Sequence, residues 1–164
     1  VIARAVRFQR DVWTRLLEVR AATVAAVHGW VVGGGMEMAL LCDVRIAAPS
    51  ACFALPETGL GMIPGVAGTQ TLPRAVGQGH ALELVLTGRM LDARAAVRVG
   101  LVHRVVTRAR LLPSALAMAR RLARVDPALT CAVRRCVRTA FDAPLADGLA
   151  LERRLGLGLQ APGS

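Results

Sequence analysis

Glu37 and Glu57 are the two side chains in this chain whose type and setting suggest chemistry. Glu37 sits among Met36, Met38, Ala39, Leu40 and Leu41, directly after the run Gly33-Gly34-Gly35. A carboxylate in the first turn of a buried helix gains from the helix dipole but loses hydration, so it needs a purpose or a partner. The ordinary alternative is a first-turn helix acid, or an ion pair with Arg45. Glu57 follows Pro56 at the end of an apolar strand and precedes a glycine-rich loop; its ordinary alternative is a capping or turn acid. Together they say more. The two acids are 20 residues apart, each at a strand exit beside a glycine-rich turn, so they can face one pocket. Such a pair can orient a water, one carboxylate acting as base and the other as acid. The triple glycine allows a tight turn and leaves amide N–H groups free at a helix start, suited to a phosphate or to the oxyanion of an activated carbonyl. It is not the dinucleotide fingerprint, because the final glycine of that spacing is missing; alone, it would fit a plain tight turn. Acids and amides together describe proton movement beside a polarised carbonyl, such as a thioester.

Strands alternating with helices must position these groups. Ala22–Val27 is a run of small and β-branched residues, a buried-strand signature broken at Gly29. A helix over Met36–Cys42, strands over Val44–Ala47 and Cys52–Leu55, a loop over Gly59–Gly68 and a helix from about Thr69 follow. The second half reads as helices over His80–Leu86, Asp92–Val99, Arg110–Arg124, Pro127–Phe141 and Pro144–Leu155, with a strand at Leu101–Val106. Asp92 and Asp126-Pro127 mark helix starts and Gly100 a stop. An amphipathic helix is expected within residues 1–20, and a frayed tail over Leu155–Ser164. The pattern predicts an α/β layer with a helical C-terminal part.

Composition removes several classes. With 54% hydrophobic and 20% charged residues over 164 positions, the chain is one ordinary folded length and not disordered. Four cysteines without a CxxC pair or neighbouring histidine exclude a zinc or disulfide framework, and apolar surroundings suggest buried, reduced thiols in an intracellular protein. The net charge of +10 comes from 21 basic residues that are all arginine, spread from Arg4 to Arg154 without a dense run. Few aromatics accompany them, so nucleic acid is not the expected partner; a nucleotide-bearing small ligand fits the sign equally well. Asp11 and Glu18 argue against a transit peptide. Val24–Cys42 is apolar enough to suggest a membrane span, but His28, three glycines and Glu37 exclude one.

The segments AAVHGWVVGGGMEMALLCDVRIAA, FALPETGLGMIPGVAGTQTLPRAVG and LTGRMLDARAAVRVGLVHRVV resemble the enoyl-CoA hydratase/isomerase (crotonase) family. The resemblance runs from about Ala22 to Val106 and more loosely to Leu155. It implies a ClpP/crotonase-like α/β fold, a ββα-type layered core that is partial here, with a helical C-terminal part. The core would cover residues 1–106, and residues 107–164 would be an incomplete helical oligomerisation region. By resemblance, Glu37 and Glu57 are the acid/base pair of a hydratase adding water to the 2,3-double bond of an enoyl-CoA, and Gly34 gives one oxyanion-hole amide. Gly33, Gly35, Pro64 and Gly65 would line the substrate, and His28 would be structural.

No metal and no cofactor are implied beyond the coenzyme A carried by the acyl-CoA substrate. The expected partner is a second copy, in trimers or dimers of trimers. The expected place is the cytoplasm, or the mitochondrial matrix in a eukaryote. Ala67 and Thr71 stand where the family more often has Gly and Arg. The family's first strands, much of its coenzyme A surface and the other oxyanion amide would precede Val1, and its last helix would follow Leu155. The expectation is therefore a truncated member, nearly inactive by itself. Isomerases of the family keep the Glu57-type acid and lose the Glu37-type one, which favours hydration. Hydrolases, decarboxylases and dehalogenases share the scaffold, and a non-catalytic assembly module is the alternative from another class.

Overall fold

The computed structural model describes residues 14–160. Most of the helix expected over residues 1–20 lies outside them; residues 14–18 are helical. The elements that follow are β1 (Val24–Val27), β2 (Trp30–Val32), α1 (Gly34–Leu41), β3 (Val44–Ala47), β4 (Cys52–Ala54), a 3-10 turn (Glu57–Leu60), α2 (Gly68–Val76), α3 (Gln78–Thr87), β5 (Leu91–Asp92), α4 (Ala93–Arg98), β6 (Arg104–Val105), α5 (Arg108–Leu122), α6 (Pro127–Thr139) and α7 (Leu145–Gln160).

Two small sheets carry the first unit, in the orders β1-β3-β6 and β2-β4-β5. The pairs β1/β3, β2/β4 and β3/β6 are parallel, and β4/β5 is antiparallel. The chain makes the same move twice. It leaves the first sheet after β1, bends at Gly29 (φ 62°) and enters the second as β2; β3 and β4 repeat this across Pro49 and Ser50. The two copies stay in register through the bend, because Ala48 N–H donates to Val27 O at 2.9 Å and Cys52 N–H to Gly29 O at 2.9 Å. At the other end Thr23 and Asp43 clamp the strand starts, with Asp43 Oδ2 accepting from Thr23 N at 2.8 Å and from Thr23 Oγ1 at 3.0 Å. Each strand pair then feeds a helix, α1 or α2, which gives the ββα repeat expected.

The core lies between these layers. Met36 and Leu40 of α1, Phe53 and Leu55 after the bend, Leu72 of α2, Leu84 of α3 and Leu101 form one buried cluster. Ile46, Ala48, Leu111 and Ala115 form a second. Burying such side chains stabilises by about 1.5–3 kcal/mol each relative to exposure.

Several expectations need correction. β2 was not foreseen, because three residues between glycines give too short a pattern to read. Gly34 and Gly35 lie inside α1, not before it, and Gly68 opens α2. The strand expected over Leu101–Val106 shrinks to Arg104–Val105. The tail expected to fray from Leu155 is helical to Gln160, although Gly156 and Gly158 lie within it. The four cysteines are free, as expected, but partly buried where full burial was expected.

The chain forms two compact units, dividing between Ala119 and Arg120 within α5, later than the boundary after Val106 read from the sequence. The second unit comprises Arg20–Ala22 and the residues from Arg120 onward. In it α6 starts as read, with Asp126 Oδ1 accepting from Ala128 N at 2.8 Å and Leu129 N at 3.0 Å, and Pro127 in the first turn.

Candidate active site

The site grows from the exit of β2. Gly33 caps α1 with φ 54° and ψ −125°, a backbone region that side chains rarely adopt. Its N–H donates to Ala54 O at 3.0 Å, tying the start of α1 to β4, and its carbonyl accepts the Glu37 N–H at 3.0 Å. The amides of Gly34, Gly35 and Met36 then fall in the first turn of α1, where a helix supplies no acceptor. This is the donor array expected from the triple glycine, displaced one residue into the helix.

Glu37 is 2% exposed, on the inner face of that helix. Its partner is not Arg45. Glu37 Oε1 instead accepts three backbone N–H groups from the far loop: Val66 at 3.0 Å, Ala67 at 3.1 Å and Gly68 at 2.8 Å. These amides begin α2, whose own N-cap residue, Ala67, offers no side-chain bond. One acid of α1 therefore caps a second helix and sits at the positive end of its dipole. The loop has to come close for this. A Cβ on Gly68 would lie 2.8 Å from Pro64 Cβ, 3.0 Å from Glu37 Oε1 and 3.1 Å from Leu55 Cδ1, so only glycine fits there.

Glu57 opens the 3-10 turn and is partly buried. Its Oε1 lies 2.9 Å from where a Cβ on Gly33 would stand, so its carboxylate reaches the first turn of α1. Its Oε2 is buried and has no hydrogen-bond partner among the described residues. Both acids named from the sequence thus border the amino end of α1: Glu37 lies in its first turn, and the Glu57 carboxylate stands against its cap, Gly33. One carries an oxygen saturated by amides and the other an oxygen with unused acceptor capacity. Next to first-turn amides, such a pair can handle protons beside a carbonyl whose oxygen gains negative charge.

The remaining expected site residues divide. Gly34 lies in the first turn of α1 and is half-buried; Pro64 is buried against Gly68. Gly35 and Gly65 are exposed, and a side chain on either would meet nothing within 4 Å. His28 is exposed. The sequence reading missed the amides of Val66, Ala67 and Gly68; the density of glycines in that loop was the available signal. Among the described residues no cluster of three or more His, Cys, Asp or Glu is placed to hold a metal.

Arg45 serves the scaffold. It is 7% exposed; its Nε donates to Leu101 O at 2.6 Å and its Nη1 to Cys42 O at 2.7 Å. Burial lowers its pKa from the usual arginine value. Its backbone N–H donates to His103 Nδ1 at 3.0 Å, which fixes that nitrogen as an acceptor. Burial first, and then the neighbouring Arg45 charge, hold the His103 imidazole below its ordinary pKa.

The chain is similar to known proteins. The enoyl-CoA hydratase/isomerase family profile matches residues 5–161. The chain is 46% identical over 143 residues to a probable enoyl-CoA hydratase of Mycobacterium leprae, covering 87% of this chain and 56% of that protein. It is 38% identical to the mitochondrial enoyl-CoA hydratase of Pongo abelii, again over 87% of this chain and 49% of the relative. Among solved structures, the enoyl-CoA hydratase of Bacillus anthracis superposes with a TM-score of 0.92 at 36% identity, covering 96% of this chain and 61% of that one. The chain spans about half the length of the relatives it matches. With its twice-repeated ββα unit and the acids at the head of α1, the chain belongs to the enoyl-CoA hydratase/isomerase family and has the crotonase fold.

Proposed function

We propose that the protein hydrates the 2,3-double bond of an enoyl-CoA thioester. The observation that carries this reading is the placing of Glu37 in the first turn of α1 with the Glu57 carboxylate beside the cap residue Gly33. In the reaction a water held by the two carboxylates adds its oxygen to C3. One of the two, ionised, takes the water's proton while the other, protonated, delivers its proton to C2, and the proton gained by the first passes to the second through solvent before the next turnover. The electron pair of the double bond shifts toward the thioester carbonyl as C3 is attacked and returns to C2 as that carbon is protonated. The Gly34 amide, pointing from the head of α1, holds the charge that builds on the thioester oxygen. Gly33, Gly35, Pro64 and Gly65 would border the acyl group; the open space beside Gly35 and Gly65 leaves room for it.

This chemistry needs no resident cofactor, because the coenzyme A arrives as part of the substrate. The partner would be a second copy of the chain, in trimers or pairs of trimers. The work would be done in the cytoplasm, or in the mitochondrial matrix of a eukaryotic cell. No helix among the described residues is long and apolar enough to cross a membrane.

The test is the loss of enoyl-thioester absorbance with a short enoyl-CoA, using the protein that carries this segment. Glu37→Gln and Glu57→Gln should each lower turnover by about 10²–10⁴-fold, the usual worth of a positioned acid or base. Gln keeps an acceptor oxygen for the three loop amides, so the fold should persist. Full activity in either variant would remove that carboxylate from the mechanism.

A further inference from the structure

Helices α6 and α7 of the second unit border a cavity of about 250 Å³ that the proposed chemistry does not use. Its walls include Arg20, Arg135 and Arg154 as well as Cys131, Ala132 and Leu155. None of the three arginines is paired with a carboxylate among the described residues. The unit as a whole holds nine arginines against four acidic residues, and one of those acids, Asp126, is spent capping α6. All three arginines are exposed at the rim of one hollow, so an anion seated there can meet more than one guanidinium. Guanidinium groups match a carboxylate's two oxygens in a planar, bidentate fashion. Beside the arginines, Ala132 and Leu155 offer only apolar surface, which calls for methylene groups and not for further charge. The volume falls just below the span of about 300–1,000 Å³ typical of small-molecule sites, which suits a charged head with a short tail.

We infer that this groove binds a small amphiphilic anion, an alkyl carboxylate of medium length, independently of the acid pair at α1. Cys131 reports on the site because it lines the groove, whereas Cys42 lies in the other unit. The experiment alkylates the whole protein with iodoacetamide and follows each cysteine by peptide mass spectrometry, with octanoate as the probe. Octanoate should slow alkylation of Cys131 several-fold and saturably while leaving Cys42 unchanged. Acetate, which has the head alone, and octanol, which has the tail alone, should protect far less. Arg135→Gln, and separately Arg135→Glu with Arg154→Glu, should abolish the protection; unchanged helical circular dichroism and unchanged Cys136 alkylation without octanoate show that the second unit of each variant is folded. The inference falls if octanoate leaves Cys131 unprotected, if octanol protects equally, or if protection survives in the variants. It falls too if Cys131 becomes unreactive simply on raising the protein concentration, since a second copy would then fill the groove.

Discussion

Glu37 ties two helices of the scaffold together at the proposed site. Its Oε1 satisfies the amides of Val66, Ala67 and Gly68, which no other side chain of the loop caps. Removing it leaves three donors unpaired, one of them on the buried Gly68. An unsatisfied buried donor costs about 1–3 kcal/mol. Glu37→Ala should therefore lower stability in urea by at least about 2 kcal/mol, whereas Glu37→Gln should lose much less because its amide oxygen still accepts. Equal stability of the two variants would show that the carboxylate does not hold the loop. The same measurement separates roles at the site, since Glu57 makes no comparable set of bonds and its loss should fall on turnover.

At the level of elements, two devices outside the acid pair are open to test. Asp126 caps α6 through Ala128 and Leu129, and Asp126→Ala should cost about 0.5–2 kcal/mol. Amide hydrogen exchange should show it first at Leu129, with faster exchange confined to the first turn of α6; unchanged protection there would contradict the cap. The second device joins β3 to the segment before β6 through the Arg45 N–H and His103 Nδ1. That bond needs a neutral imidazole, and burial beside Arg45 holds the folded pKa below the ordinary 6.5. Near and below that ordinary value the unfolded chain binds the proton more readily than the fold does. Stability from this group is therefore full at neutral pH and is lost as pH falls from about 6.5 toward the folded pKa. Denaturation midpoints between about pH 7 and pH 5 should decline in the parent and flatten in His103→Gln. Parallel curves would exclude His103 from the effect.

Across the whole molecule, the surface is more apolar than a solitary chain needs. Leu129, Val133 and Val137 recur every fourth residue along one face of α6 and are 43%, 52% and 61% exposed. In the other unit Ile63, Leu82 and Leu86 are exposed as well. Surfaces of this kind drive association unless covered. The chain should self-associate at micromolar concentration, in a trimer or a multiple of it, with light scattering as the measurement. A clean 17.3 kDa species with a sharp unfolding transition would refute this. Double substitution Val133→Glu and Val137→Glu should shift the distribution toward smaller species if the α6 face supplies contacts.

The reading from residues and the final architecture agree where the determinants are local. Period-2 and period-3.6 patterns place β1, β3 and most helices, because alternation and stripes are written into neighbouring positions. Asp92 and Asp126 mark their helices because a cap needs only residues within three positions. The two acids are legible as an oddity, a charge among Met36, Ala39 and Leu40. Their pairing and the family rest on the resemblance of longer segments. What the tertiary structure alone decided is which groups meet across the fold. Arg45 looked like the natural partner of Glu37 by charge and closeness in sequence, yet it turns to the Leu101 and Cys42 carbonyls. The acid turns instead to amides some 30 positions away, a contact only the packing of α1 against α2 creates. Likewise β2 is too short to have a pattern of its own, and β6 keeps only two residues of the strand expected over Leu101–Val106. Their extents are set by the parallel partners, β4 and β3, that offer them a ladder to complete, and hydrogen bonding to a neighbour is not a property of a few residues in isolation.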